Sequence, residues 1–193
     1  LLNYGGNVGL FGKLQHVVDE FYKARSSRFA PTMRGVGLTM EGIENNPVMY
    51  ELVCELPWST ADGNHIVWRD WLSRYVQTRY GNVTNPKVSE AWLLLARSIY
   101  GCPADNVSQG CRESVFCARP SLDAKWVSSW AETVDYYEPD SVIRAARLMV
   151  EAAADMPAND NFRYDLVDIT RQAVAERARL VYNEIVAAYK AHD

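Results

Sequence analysis

The first forty residues contain a predicted strand, helix and strand, and this order restricts the fold more than any other feature of the sequence. The opening LLNY runs into Gly-Gly-Asn, which is typical of a strand that ends in a tight turn. Apolar residues then recur at helical spacing, at Leu14, Val17, Val18, Phe21 and Tyr22. Alternation of Val36, Leu38 and Met40 with smaller residues predicts a second strand over residues 35–40. Because helical crossovers join parallel strands, and two strands alone are unstable, we expect these residues to belong to a larger α/β domain.

The remainder of the chain is predicted to be helical. Pro47 suits the first turn of a helix capped by Asn45 or Asn46, whose apolar face carries Met49, Leu52, Val53 and Leu56. Further apolar stripes predict helices at residues 68–79, 88–99 and 139–156, and from residue 162 to the end. Pro57 and the polar run after it read as a linker. We therefore predict a mainly α chain in two units, residues 1–58 and residues 59–193.

Composition excludes several classes of function. The chain has 193 residues, 48% apolar and 23% charged, which is typical of a globular protein with a sizeable core. Twenty basic and 24 acidic residues give a net charge of -4 without a long run of like charges, which argues against nucleic acid and anionic membranes as partners. No apolar window is long enough to predict a membrane span.

Cysteine and histidine spacing gives no support for a metal site. The cysteines at positions 54, 102, 111 and 117 lack C-x-x-C spacing, and the histidines at 16, 65 and 192 lie on different predicted elements. Cys54 falls within a helical apolar pattern and is predicted to be a buried, small apolar residue. A disulfide between Cys102 and Cys111 is left open, because its geometry is not readable from sequence.

Glu41 is the strongest candidate for chemistry. It follows the second predicted strand in a Met-Glu-Gly corner, and catalytic side chains emerge at the carboxyl ends of parallel strands. The alternative is that Glu41 only opens the next helix, where its charge favours the positive end of the helix dipole. A long irregular segment at residues 101–122 is the second region in which we expect ligand contacts.

Four stretches resemble the α-N-acetylglucosaminidases of glycoside hydrolase family 89, in the family's order and at plausible spacing. They read LLNYGGNVGLFG, GVGLTMEGIENNPVMYELVCEL, ARPSL and FRYDLVDITRQAV. The resemblance implies a TIM-like barrel followed by an all-α C-terminal domain. Residues 1–58 would be the C-terminal part of the (β/α) barrel and residues 59–193 the first part of the helical domain. We therefore expect a fragment of a longer enzyme, with the remainder of the barrel as its partner.

The resemblance also implies roles for individual residues. Glu41 matches the catalytic nucleophile, while the acid/base glutamate would lie on an upstream strand absent from this sequence. Asn3 and Tyr4 match positions near the bound sugar, and Leu1 matches an apolar wall position. In the long loop the chain departs from the family pattern at Cys111 and Arg112, which weakens any expectation of ligand contacts there.

The function implied by the resemblance is retaining hydrolysis of terminal α-linked N-acetylglucosamine from glycans, without a cofactor, by an exported or lysosomal enzyme. The isolated fragment, with one of two catalytic carboxylates, is expected to be inactive. One alternative is a helical carbohydrate-binding or interaction module without catalysis, in which Glu41 is structural. A second is a glycosidase with another sugar specificity, because no residue by itself selects the acetamido group.

Overall fold

Helices make up most of the chain in the computed structural model, which describes residues 9–39, 46–59, 65–104, 114–127, 135–156 and 158–192. Within these ranges there are six α-helices and no strand: α1 Leu14–Arg25, α2 Pro47–Glu55, α3 Trp68–Arg79, α4 Pro86–Arg97, α5 Pro139–Ala152 and α6 Asp160–Ala191. Each falls where the apolar periodicity predicts a helix. In this part of the chain, none is long and apolar enough to cross a membrane.

The strand predicted over residues 35–40 is not formed in the described residues. Residues 33–38 have no regular secondary structure assigned in the described part of the chain, Thr39 takes part in a single β-bridge, and Met40 lies outside the described ranges. Val36 and Leu38 are partly buried and pack against the core, so the alternation does report burial. A strand is defined by paired backbone hydrogen bonds, and among the described residues of this segment the β-bridge at Thr39 is the assigned pairing.

Helix α2 packs its apolar face into the core, as predicted. Val48, Met49, Leu52 and Val53 are at most 1% exposed. The prediction that Cys54 is buried is wrong: its side chain is exposed. At about 100° per residue, the position after Val53 turns towards solvent, and the buried face resumes at Leu56, which is 0% exposed.

The helical domain is organised around α5, which packs against both α4 and α6. Small residues at the contact, Ala145 and Ala152, are fully buried and let the helix axes approach closely. Trp71 and Trp92 lie in this core, at 1% and 3% exposure. Trp68 is only partly buried against it.

A polar cluster inside this core ties α3 and α4 to α6. The hydroxyl of Tyr80 donates to Asp165 Oδ2 at 2.7 Å and accepts from Trp92 Nε1 at 2.9 Å. Asp165 also receives two hydrogen bonds from the guanidinium of Arg79. Burial, together with the adjacent Asp165 carboxylate, raises the pKa of Tyr80 well above its ordinary value, so the hydroxyl stays protonated and donates.

Candidate functional site

The predicted site residues themselves, Leu1, Asn3, Tyr4 and Glu41, lie outside the described residues. The structure does describe the chain that follows each predicted strand end. Residues 9–13 lead into α1, and Asn46 leads into α2. These two connections are the described parts of the chain that lie nearest in sequence to the predicted site residues.

The two connections are joined by a hydrogen bond. The backbone N–H of Phe11 donates to Oδ1 of Asn46 at 2.9 Å, and both residues are buried. Asn46 occupies the N-cap position of α2, as predicted, but its side chain makes no hydrogen bond to the helix it precedes. Its φ of 59° is left-handed, a conformation that asparagine tolerates better than most residues. The side chain therefore braces the neighbouring connection.

A second hydrogen bond to the connection before α1 comes from the helical domain. The N–H of Leu10 donates to Oε1 of Gln172 on α6 at 3.1 Å, across 162 positions of sequence. The side-chain amide of Gln172 in turn donates from Nε2 to Glu176 Oε1 at 2.8 Å, and the Tyr137 hydroxyl donates to the same oxygen at 2.6 Å. Gln172 and Glu176 are fully buried. Two consecutive amides, of Leu10 and Phe11, are thus held by side chains from distant parts of the chain.

Glu176, the partner of Gln172, belongs to a cluster of charged side chains. Arg179, one turn beyond Glu176 on α6, pairs with Asp135 and lies 3.5 Å from Glu176 Oε2. The side chains of Arg179 and Asp135 are 5% and 7% exposed. Buried charges of this kind require partners, and here each carboxylate faces the same guanidinium. The cluster fixes the face of α6 that carries Gln172.

Backbone pairing completes the junction. Leu14 donates to the Tyr100 carbonyl at 2.9 Å, and Cys102 donates to the Gly12 carbonyl at 3.2 Å, around an antiparallel bridge between Lys13 and Gly101. A Cβ on Gly12 would lie 2.5 Å from Met49 Sδ and 2.8 Å from Tyr100 Cδ1. Glycine is therefore required here for close approach.

The second predicted region, residues 101–122, is described only in part. Val115–Cys117 forms a short 3₁₀ turn, and Tyr182 of α6 ties down the chain after it. Its hydroxyl donates to the Ser121 carbonyl at 2.8 Å and accepts from the Ala124 N–H at 3.1 Å. Cys111 and Arg112 lie outside the described residues, so the question of a disulfide between Cys111 and the buried Cys102 stays open.

No group of three or more histidine, cysteine, aspartate or glutamate side chains that could hold a metal ion occurs in the described ranges. The chemistry that these residues offer is hydrogen bonding and support.

Comparison with known proteins decides the family. Residues 71–193 match the family model described as the alpha-N-acetylglucosaminidase (NAGLU) C-terminal domain, and residues 1–60 match the tim-barrel domain of the same family. The chain belongs to the alpha-N-acetylglucosaminidase family. It is 38% identical over 191 residues to human alpha-N-acetylglucosaminidase, an alignment covering 98% of this chain and 24% of the human protein. The chain thus spans about a quarter of that relative's length.

Solved structures of the family agree. A family 89 glycoside hydrolase from Clostridium perfringens, in complex with 2-acetamido-1,2-dideoxynojirmycin, matches with a TM-score of 0.87 at 29% identity, over 100% of this chain and 21% of that one. A variant of the Clostridium perfringens enzyme with two glutamate-to-glutamine replacements, in complex with its substrate GlcNAc-alpha-1,4-galactose, matches with a TM-score of 0.86 at 28% identity. It covers 99% of this chain and 21% of the other. The predicted resemblance and fold class, the end of a TIM-like barrel followed by a helical domain, are confirmed.

Sequence reasoning missed the bracing residues. It treated Asn46 as a helix cap and gave Gln172 no role. A signal for the second was present: Asp165, Gln172, Glu176 and Arg179 share with Ile169 a spacing of three and four residues, which places them on one helix face. Polar residues on the same face as a buried isoleucine indicate a buried network.

Proposed function

We propose that the whole protein containing this chain hydrolyses terminal α-linked N-acetylglucosamine from glycans with retention of configuration, with Glu41 as nucleophile. The observation that carries the proposal is that both parts of the chain match the alpha-N-acetylglucosaminidase family, residues 1–60 to its barrel and residues 71–193 to its helical domain. A helical binding module without catalysis is not favoured, because it leaves the barrel match unexplained.

The substrate's stereochemistry requires a nucleophile from the protein. In an α-linked N-acetylglucosaminide, the 2-acetamido group is cis to the leaving oxygen and cannot attack the anomeric carbon from the opposite face. A carboxylate makes that attack instead: a bond forms from its oxygen to the anomeric carbon, and the bond to the leaving oxygen breaks as an acid protonates it. Water then displaces the carboxylate, and the two inversions give net retention.

The two carboxyl groups must differ in protonation and lie about 5 Å apart. Glu41 takes the ionised role. The acid/base partner is a glutamate outside this chain, on an upstream barrel strand. Support comes from the Clostridium perfringens relative, whose complex with its substrate carries two glutamate-to-glutamine replacements.

Asn3 and Tyr4 are proposed to contact the sugar, and Leu1 to form an apolar wall of its subsite. The domain boundary is proposed after residue 58, with the remainder of the barrel completing the site around residues 1–58. Terminal α-linked N-acetylglucosamine is the proposed ligand, consistent with the GlcNAc disaccharide that is named as substrate of the bacterial relative.

The test is made on the whole protein with an aryl α-N-acetylglucosaminide. Glu41→Gln should lower kcat by at least a thousandfold, while Glu20→Gln, on the exposed face of α1, should leave it unchanged. In Glu41→Ala, added azide should restore turnover and give the β-configured glycosyl azide, because azide enters from the face that the nucleophile vacates. Near-normal activity of Glu41→Gln, or an α-configured azide product, would remove Glu41 from this role.

A mechanism-based label supplies an independent measurement. A 2-deoxy-2-fluoro or related glycoside that forms a slowly hydrolysed ester should modify the peptide that contains Glu41. A label on a different carboxylate would reassign the nucleophile, and the absence of any label, with no turnover, would favour a binding role.

A further inference from the structure

We propose that Gln172 is a positioning residue for the active site, acting with Asn46 through the amides of Leu10 and Phe11. The inference rests on the proposed function, because it concerns the same site. It assigns the helical domain a part in catalysis that does not require its residues to touch the substrate.

The hydrogen-bonded residues lie close in sequence to the proposed site residues. Leu10 lies six residues after Tyr4, and Asn46 lies five residues after Glu41. The Phe11–Asn46 hydrogen bond, 2.9 Å long, therefore joins the chain that leaves the proposed sugar contacts to the chain that leaves the proposed nucleophile. Gln172 holds the neighbouring amide at 3.1 Å. In this proposal, a shift of residues 10–11 reaches the proposed site residues, which lie six positions before Leu10 and five positions before Asn46.

Both ends of the Gln172 side-chain amide make hydrogen bonds. Oε1 accepts from Leu10 while Nε2 donates to Glu176, so the side chain must both accept and donate. Glutamate would set a second carboxylate against Glu176, and methionine, of similar length, cannot donate and accepts only weakly through its sulfur. Leu10 is only 2% exposed, so water does not readily replace the lost acceptor.

The helix that carries Gln172 is held in place on both sides of this residue. Gln172 lies on α6 between two anchors, the Arg79 contact at Asp165 and the Asp135 contact at Arg179. Fixing α6 on both sides of Gln172 restricts the movement of its side-chain amide and of the Leu10 N–H that is bonded to it. Displacements of about 1 Å at a reacting centre cost on the order of a hundredfold in rate.

The experiment compares Gln172→Met with Tyr22→Phe in the whole protein. Tyr22→Phe removes a hydroxyl that accepts from the Ile66 N–H at 2.7 Å and hydrogen-bonds Ser59 Oγ at 2.7 Å, at the far end of α1 from residues 10–11 and outside α6. We expect Gln172→Met to lower kcat/KM at least tenfold, mainly through kcat, when measured well below its melting temperature. Tyr22→Phe should lower the melting temperature and leave kcat/KM within twofold of wild type.

Hydrogen exchange gives a readout that needs no substrate. In Gln172→Met, amides in peptides covering residues 1–13 and 36–46 should exchange at least tenfold faster, while those of α4 should not change. Asn46→Gly, which keeps the left-handed backbone and removes the acceptor, should accelerate the same peptides. If Gln172→Met does not fold, hydrogen exchange of these peptides in Asn46→Gly tests the proposal in its place.

The proposal is overturned if residues 36–46 keep wild-type exchange in both Gln172→Met and Asn46→Gly, or if Tyr22→Phe loses as much kcat/KM as Gln172→Met. Failure of the proposed function is seen separately, as wild-type protein without α-N-acetylglucosaminidase activity or as an active Glu41→Gln variant. In that case, exchange at residues 36–46 still decides whether Gln172 and Asn46 restrain the Glu41 corner.

Discussion

Arg79 and Asp165 form a bidentate ion pair across 86 positions of sequence, with Nε to Oδ2 at 2.6 Å and Nη2 to Oδ1 at 2.8 Å. Their side chains are 12% and 6% exposed. The pair joins the end of α3 to the first half of α6. It also orients the helix face that carries Gln172.

Removing one partner of this pair should be strongly destabilising. Asp165→Ala leaves the Arg79 charge buried without its carboxylate, which should lower the free energy of unfolding by about 3–5 kcal/mol. Urea unfolding followed by tryptophan fluorescence measures it, since Trp71 and Trp92 lie in the same core. The matched control is Glu90→Gln, which breaks the exposed Arg144–Glu90 pair between α4 and α5 and should cost about 1 kcal/mol or less. Equal losses for the two variants would contradict this account of the core.

Gly12 should not accept a methyl group. The Cβ of Gly12→Ala would lie within 3 Å of Met49 and Tyr100, which are buried at 0% and 2% exposure. We expect a loss of about 1–3 kcal/mol of unfolding free energy by overpacking. Gly35→Ala is the control, because no atom of the described residues lies within 4 Å of its added Cβ, and it should be neutral to about 0.5 kcal/mol. Thermal unfolding of both variants distinguishes the two environments.

Asp168 should make stability fall as pH rises. Burial raises the pKa of its carboxyl above the ordinary value, and the hydrogen bond from Arg171 opposes this only in part. The folded state then binds more protons than the unfolded state between the two pKa values, so the free energy of unfolding decreases through that window. Wild type should therefore lose stability relative to Asp168→Asn from about pH 4 upwards. Urea unfolding at pH 3, 5 and 7 tests this; a difference that is constant with pH, or one that grows in favour of wild type, would be the opposite result.

The N-cap side chains of α4 and α6 should each stabilise the folded protein by a similar amount. Asn85 accepts from Lys87 N–H at 2.9 Å, and Asn159 accepts from Phe162 N–H at 2.9 Å. Substitution of either by alanine should cost about 1 kcal/mol, whereas serine should retain most of the stability. Melting temperatures of the alanine and serine variants provide the measurement. If serine fails to restore stability at either position, the cap is not the source of the effect.

The sequence determined the helices because apolar periodicity is a local property. The apolar stripes of α1 and α2 predicted buried residues such as Val17 and Leu52, and the structure buries both of them. The motifs around Glu41 and in the last helix also identified the family. Glu41 itself stays a prediction, since its role depends on a second carboxylate that no residue pattern in this chain supplies.

Tertiary structure alone decided which polar groups meet. The cap position of Asn46 was readable, but its side chain turns to Phe11, 35 positions away. The local apolar pattern predicted that Cys54 is buried, whereas the orientation of α2 in the core leaves its side chain exposed. Nothing in the sequence pairs Leu10 with Gln172 across 162 positions, because a hydrogen bond between distant groups depends on how separate elements pack. Periodicity reports which face of a helix is buried, and only the packed fold shows what that face contacts.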